Sequence, residues 1–235
     1  MSAWTPRRFW TTADVVPVDA GFAVQLDGRP VRTPKKALLV LPTEALARAV
    51  AAEWQAVDGK VDPAVMPFTR TANSAIDTVV PAFDAVADLL AEYGGSDLLC
   101  YRATGPEGLI ARQAAAWDPL LDWSATALTA PLTPVTGVMH RVQSPASLAA
   151  LTAAVRALTP FQLAAFHDLV AISGSLVLAL ALTRGRLTTD QAWSQSRIDE
   201  DWQIEEWGED WEAAEIVALK HAAFLQADRF FALCG

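Results

Sequence analysis

The sequence predicts an α+β fold, with a small β-rich N-terminal domain over residues 1–78 and a larger all-α domain over 79–235. Three observations carry this reading. Between Asp14 and Leu41, apolar and polar residues alternate and are punctuated by turn residues. From Thr69 onward, nearly every segment repeats its apolar residues at helical spacing. Strands come first and helices after, the order of an α+β chain rather than of a doubly wound sheet.

Taken in order, Phe22, Val24 and Leu26 alternate with Ala23 and Gln25, which gives a strand one apolar side. Asp19-Ala20-Gly21 and Asp27-Gly28 flank that strand. Asp-Gly is a strong hairpin signal because both residues tolerate positive φ. Val31 and the run ALLVL (37–41) extend the sheet, whereas Pro30 and Pro34 lack an N–H and belong at an edge or a turn. Thr43 is an N-cap for a helix that places Leu46, Val50, Trp54 and Val57 on one face, and Gly59, Pro63 and Pro67 break the pattern.

The segment 81–93 carries Phe83, Val86, Leu89 and Leu90 on one stripe and ends at Gly94-Gly95. A longer helical pattern over 106–128 contains Pro119, which should kink or divide it. Ser144-Pro145 and Pro160 open two more helices. The second holds the longest apolar run, 169–182, whose 14 residues fall short of the ~20 that span a bilayer; a buried core helix is expected there. Thr188 or Thr189 starts the helix of an acidic segment, and 212–233 is helical again.

Composition narrows the function. A chain that is 52% hydrophobic and 19% charged folds around a substantial core. Its formal net charge is -9, but 196–215 alone holds nine acids and one base, Arg197, and so contributes -8. Such a surface repels phosphate backbones and anionic lipid heads, so neither nucleic acid nor membrane is expected as the main partner. A basic protein patch is its complement. Two cysteines, Cys100 and Cys234, make no disulfide framework, which fits a reducing compartment. Asp14 and Asp19 follow Arg7 and Arg8 where a secretory apolar block would stand, so no export signal is expected.

Enzyme signatures are weak. The ISGSL run lacks the second glycine of a nucleophile elbow, and Ser173, Gly174 and Ser175 read instead as small residues at a close helix contact. No Gly-rich phosphate cradle is present. His140, His167 and His221 are scattered, and His167-Asp168 reads as a helix-surface or core pair rather than a catalytic dyad. The ladder Glu206, Glu209, Glu212, Glu215 lacks the glycine and alternating oxygen ligands of a calcium loop. No enzyme activity, metal, cofactor or small-molecule substrate is expected.

The acidic segment SRIDEDWQIEEWGEDWEAAE (196–215) also carries three tryptophans. At ~100° per residue, Ile204, Trp207 and Trp211 fall on one face, which reads as core-like. Ile198 and Trp202 point nearly the opposite way, among Glu205, Glu206 and Glu209. Glu200 falls on the apolar stripe, so its carboxylate is either paired with a base such as Arg197 or kept for a partner's cation. Gly208 introduces a possible end to the helix and a reset of these angles.

Five stretches in this order, LDGRPVRTP (26–34), AAEWQAVDGKVDPAVMPFTRTANSAID (51–77), SDLLCYR (96–102), AAWDPLLDW (115–123) and SRIDEDWQIEEWGEDWE (196–212), resemble one family. It is the family of assembly chaperones for the catalytic head of the F-type ATP synthase, the member that binds the alpha subunit. The resemblance implies a non-enzymatic protein, cytoplasmic in bacteria and of the mitochondrial matrix in organellar relatives, that shields the unassembled alpha subunit until the beta subunit replaces it. It also implies that Glu200 occupies the place of a functionally sensitive acid. With Asp199, Trp202, Glu205, Glu206 and Glu209, it makes the expected partner-binding surface. Trp54 matches the family's Glu-Trp motif, and its spacing with Leu46 and Val50 points to the core. Relatives often carry a histidine where this chain has Ala214, so any role of that histidine does not carry over.

Overall fold

The computed structural model describes residues 7–208 and 210–235. The chain gathers into two compact units. One comprises Met1–Phe83, Thr159–Ala165 and Arg229–Gly235, the other Asp84–Leu158 and Phe166–Asp228. The first change of unit falls between Phe83 and Asp84. The return of two later segments to the first unit depends on long-range packing, for which local sequence has no signal.

The first unit is built on β1 (Ala13–Val18), β2 (Gly21–Leu26), β3 (Arg29–Pro30) and β4 (Val40–Leu41). All pair antiparallel with β2. Asp27 and Gly28 have φ of 47° and 78°, and Leu26 faces Arg29, the two-residue hairpin that Asp-Gly favours. The Asp27 carboxylate also accepts the N–H groups of Thr12 (2.9 Å) and Thr11 (3.0 Å), which hold its carboxyl below the usual range.

Helix α1 (Glu44–Ala56) begins where the Thr43 side chain accepts the Leu46 N–H. Leu46 and Val50 are fully buried, each contributing about 1.5–3 kcal/mol by leaving water. Trp54 packs half-buried and edge-on against Trp10, with centroids 5.4 Å apart. Its neighbour Glu53 accepts the Phe68 N–H, the Thr69 N–H and the Thr69 hydroxyl, each at 2.7 Å, capping α2 (Pro67–Ser74). Asp77 accepts the Thr33 hydroxyl (2.7 Å) and the Lys35 N–H (3.0 Å). Several polar residues of the first two motif stretches therefore tie loops of this unit together.

The second unit starts with α3 (Phe83–Ala91). Its inward face is Ala87, Leu90 and Ala91; Leu89, expected on that stripe, is 53% exposed. The short strands β5 (Tyr101–Arg102) and β6 (Val135–Thr136) pair in parallel. Helix α4 (Glu107–Ala127) runs unbroken through Pro119, so the expected division does not occur. Buried Trp117 and Leu120 flank that proline, and Trp117 Nε1 donates to the Gln195 carbonyl at 2.9 Å. This packing offsets the roughly 3 kcal/mol that an internal proline costs.

After α5 (Pro145–Arg156), the apolar run forms two helices rather than one, α6 (Pro160–Ser173) and α7 (Leu176–Thr183). Gly174, at φ 69°, separates them, and the Ser175 hydroxyl caps α7 by accepting the Leu178 N–H at 3.0 Å. Fully buried Asp97 accepts the Ser175 hydroxyl (2.7 Å), the Leu99 N–H (3.0 Å) and the Val177 N–H (3.0 Å). The small residues of ISGSL thus make a helix corner, and α7 is buried from Leu176 to Leu182. No helix among the described residues is long and apolar enough to cross a membrane. A capping box of Thr188 and Gln191 opens α8 (Thr189–Gln195), and α9 (Ile198–Trp207) and α10 (Trp211–Leu233) follow.

Candidate functional site

The acidic segment is divided between α9 and the start of α10, and its two sides do different work. The side of α9 facing α4 presents Ile198, Trp202 and Glu205, spaced four and three apart. Ile198 is buried. The Trp202 indole lies against Gly108, where an added Cβ would sit 2.7 Å from its ring. Arg112 stacks over the same ring at 4.8 Å and grips Glu205 with two hydrogen bonds, Nη1 to Oε1 at 2.8 Å and Nη2 to Oε2 at 2.7 Å. That bidentate bond holds the Glu205 carboxyl below the usual glutamate range and pushes the guanidinium up. Gln113 donates from Nε2 to Asp199 at 2.6 Å. Of the six residues expected to bind a partner, Asp199, Trp202 and Glu205 therefore anchor the helix.

Glu200 and Glu206 are exposed, and neither makes an ion pair or side-chain hydrogen bond among the described residues. Arg197, the base considered as a partner for Glu200, pairs instead with Asp201 at 3.3 Å and lies over the Trp193 ring. Glu209 lies outside the described residues.

The stripe expected to be buried is the open one. Trp207 is 79% and Trp211 75% exposed. The reversal has a local cause. Gly208 donates its N–H to the Ile204 carbonyl and takes φ 87°, a left-handed stop that a residue with a Cβ rarely adopts. Asp210 then accepts the Glu212 N–H at 3.0 Å, so α10 starts afresh and Trp211 falls out of phase with α9. Between the two helices runs an open groove of about 440 Å³, lined by Glu200, Ile204, Trp207, Asp210, Ile216 and Lys220, with Ala214 along the same wall.

Ile216 and Leu219 are 55% and 68% exposed, and sequence reasoning did not single them out. The available signal was their position on α10: Ile216 shares a stripe with Ala227, which is buried, so the stripe continues into turns that nothing covers among the described residues.

Other chemistry is sparse. His167 and Asp168 form a half-exposed pair at 3.1 Å, whose hydrogen bond pushes the imidazole up. Ser173 donates to the Leu169 carbonyl and Ser175 to the Asp97 carboxylate, and the side chains of Ser173, Ser175 and Asp97 are all buried away from solvent. Among the described residues no group of histidine, cysteine and carboxylate side chains could hold a metal ion. The site offers apolar area edged by Glu200 and Asp210, with Lys220 opposite in sign on the same lining, an arrangement suited to binding.

Comparison with known proteins identifies the setting. Residues 7–125 match the family model described as ATP12 chaperone protein. The crystal structure of Atp12 from Paracoccus denitrificans is 52% identical and superimposes with a TM-score of 0.94, over 97% of this chain and 98% of that one. The chain belongs to the ATP12 chaperone family. That is the ATP synthase assembly chaperone family to which the sequence motifs point. A protein from Agrobacterium tumefaciens is also similar, at 42% identity and TM-score 0.93, over 98% of this chain and 87% of that one. The mitochondrial protein atp12 of Schizosaccharomyces pombe is 25% identical over 224 residues, 89% of this chain and 76% of its own length. The ATP12 family model ends before α9 and α10, whereas the Paracoccus structure matches across them.

Proposed function

We propose that this ATP12-family chain binds the unassembled alpha subunit of the F-type ATP synthase head and keeps it from aggregating until the beta subunit takes its place, with no bond made or broken. The bacterial cytoplasm is where it would act. The observation that carries this reading is the open groove between α9 and α10, which Glu200 and Trp207 both line, Trp207 exposed and Glu200 without an ion pair or side-chain hydrogen bond among the described residues. Indole offers large apolar area with little conformational freedom to lose, which is why tryptophan dominates many recognition surfaces. Carboxylates beside it speed encounter with a basic patch and make it salt-sensitive. Handover requires moderate affinity, since each ~1.4 kcal/mol of extra binding makes release tenfold harder.

Light scattering of purified alpha subunit tests this. The native chain should suppress aggregation, and Glu200→Lys should abolish suppression while melting at the native temperature. Undiminished protection by Glu200→Lys would contradict the assigned site.

A further inference from the structure

The groove leaves unused the motif residues of the first unit, and these surround a pocket of their own. Arg32, Trp54, Met66, Arg70 and Asn73 line an opening of about 340 Å³, with Val61 adding apolar wall. Two buried atoms on these residues have no hydrogen-bond partner among the described residues, the indole Nε1 of Trp54 and Oδ1 of Asn73. Folded proteins seldom leave such atoms unpaired. The neighbouring threonines are satisfied, Thr33 by Asp77 and Thr69 by Glu53.

The charge is equally specific. In a chain of net charge -9, this pocket is lined, among the described residues, by two arginines and no acid. Arg32 gives one N–H to the Lys36 carbonyl at 2.8 Å, leaving most of its donors free. Arg70 is exposed and has no ion pair or hydrogen bond from its guanidinium among the described residues.

We propose that this pocket receives an acidic side chain of the client polypeptide, held with the adjoining peptide backbone. The guanidinium groups of Arg32 and Arg70 take the carboxylate, and the Trp54 N–H is a further donor to it. Asn73 Oδ1 needs a donor, which the backbone N–H beside the acidic residue supplies. Val61 and Met66 cover the aliphatic stem. A bare inorganic anion or a simple carboxylate has acceptors only and leaves Asn73 unanswered, so the atoms left over call for a peptide. This inference rests on the chaperone reading, because it takes the client as the source of the acidic residue.

Trp54→Phe identifies the indole N–H resonance of Trp54 in the ¹⁵N-labelled full chain, which is then titrated with peptides tiling the alpha subunit. Acidic peptides should move that resonance saturably. Replacing their Asp or Glu by Asn or Gln, or introducing Arg70→Glu, should weaken binding about tenfold, the scale of one lost charge-assisted bond. Trp54→Phe should weaken it in a chain that stays folded, with a melting temperature lowered only by the indole packing lost against Trp10. A resonance unmoved by any peptide, or equal binding of the amide-substituted peptides, overturns the proposal. Sodium glutarate binding as tightly as the peptides would make this a small-anion site and overturn it too. If the native chain fails to bind the alpha subunit at all, the chaperone reading falls; if it binds and this resonance stays silent, only the pocket does.

Discussion

Arg112 on α4 and Glu205 on α9 share two hydrogen bonds of 2.8 and 2.7 Å, and the same guanidinium covers the Trp202 ring at 4.8 Å. One side chain thus fixes both the charge and the aromatic that face inward from the acidic helix, which leaves Glu200, Glu206 and Trp207 outward. The pair has a pH signature. Because Arg112 holds the Glu205 carboxyl below its ordinary value of 4.5, its stabilisation is fully present above that value and is lost as pH falls through the folded one. Native protein should therefore melt higher than Glu205→Gln at pH 7, with the difference shrinking below pH 4.5. A difference that does not change with pH would contradict this assignment.

Gly108→Ala tests the seat of Trp202. The new Cβ would stand 2.7 Å from the indole, so the ring must shift away from α4. Alanine's helix advantage of about 1 kcal/mol over glycine applies weakly in the first turn. Hydrogen exchange should quicken in α9 and stay unchanged in the later turns of α4.

Asp97→Ala should be among the most destabilising single changes. It removes the acceptor for two N–H groups and one hydroxyl, all buried, and orphaned donors cost about 1–3 kcal/mol each. A loss of about 3 kcal/mol or more is expected in urea unfolding. Burial also pushes the Asp97 carboxyl up, yet those three donors are what make a carboxylate tolerable there.

Trp207→Ala and Trp211→Ala, by contrast, should change stability by no more than about 0.5 kcal/mol, since both rings stand in water. Their cost should appear only in protection of the alpha subunit. A large drop in melting temperature for either variant would show that the ring is in use inside the protein.

Cys100 and Cys234 are buried, and burial pushes both thiols up to about 12. Thiolate is the reactive form. Neither cysteine should be alkylated by iodoacetamide at pH 8 in the native chain, and both should react on unfolding.

Much of the fold was legible because its signals are local. The Asp27-Gly28 turn, the Thr43 cap and the Leu46–Val50 face each involve residues within one turn or hairpin of each other. The continuity of α4 through Pro119 was not legible, since it depends on burial of Trp117 and Leu120 against distant partners. In the acidic segment, two stripes met the helical period equally well. Sequence counts favoured Ile204, Trp207 and Trp211 because they are all apolar. The structure selects Ile198, Trp202 and Glu205 because α4 provides a glycine gap for an indole and an arginine for a carboxylate, a complementarity visible only across 93 residues of sequence separation. Exposure of Glu200 was left open between two alternatives by the same reasoning. The outcome turned on Arg197 choosing Asp201, one turn along.

The central claim, that the outward face of α9 and α10 is where the client rests, is tested most directly by site-specific photo-crosslinking. With a benzophenone side chain at Trp207, irradiation should link the chain to the alpha subunit, and prior addition of the beta subunit should abolish the adduct. Efficient crosslinking from β1 at Val18, exposed on the first unit, with none from Trp207, would contradict the account.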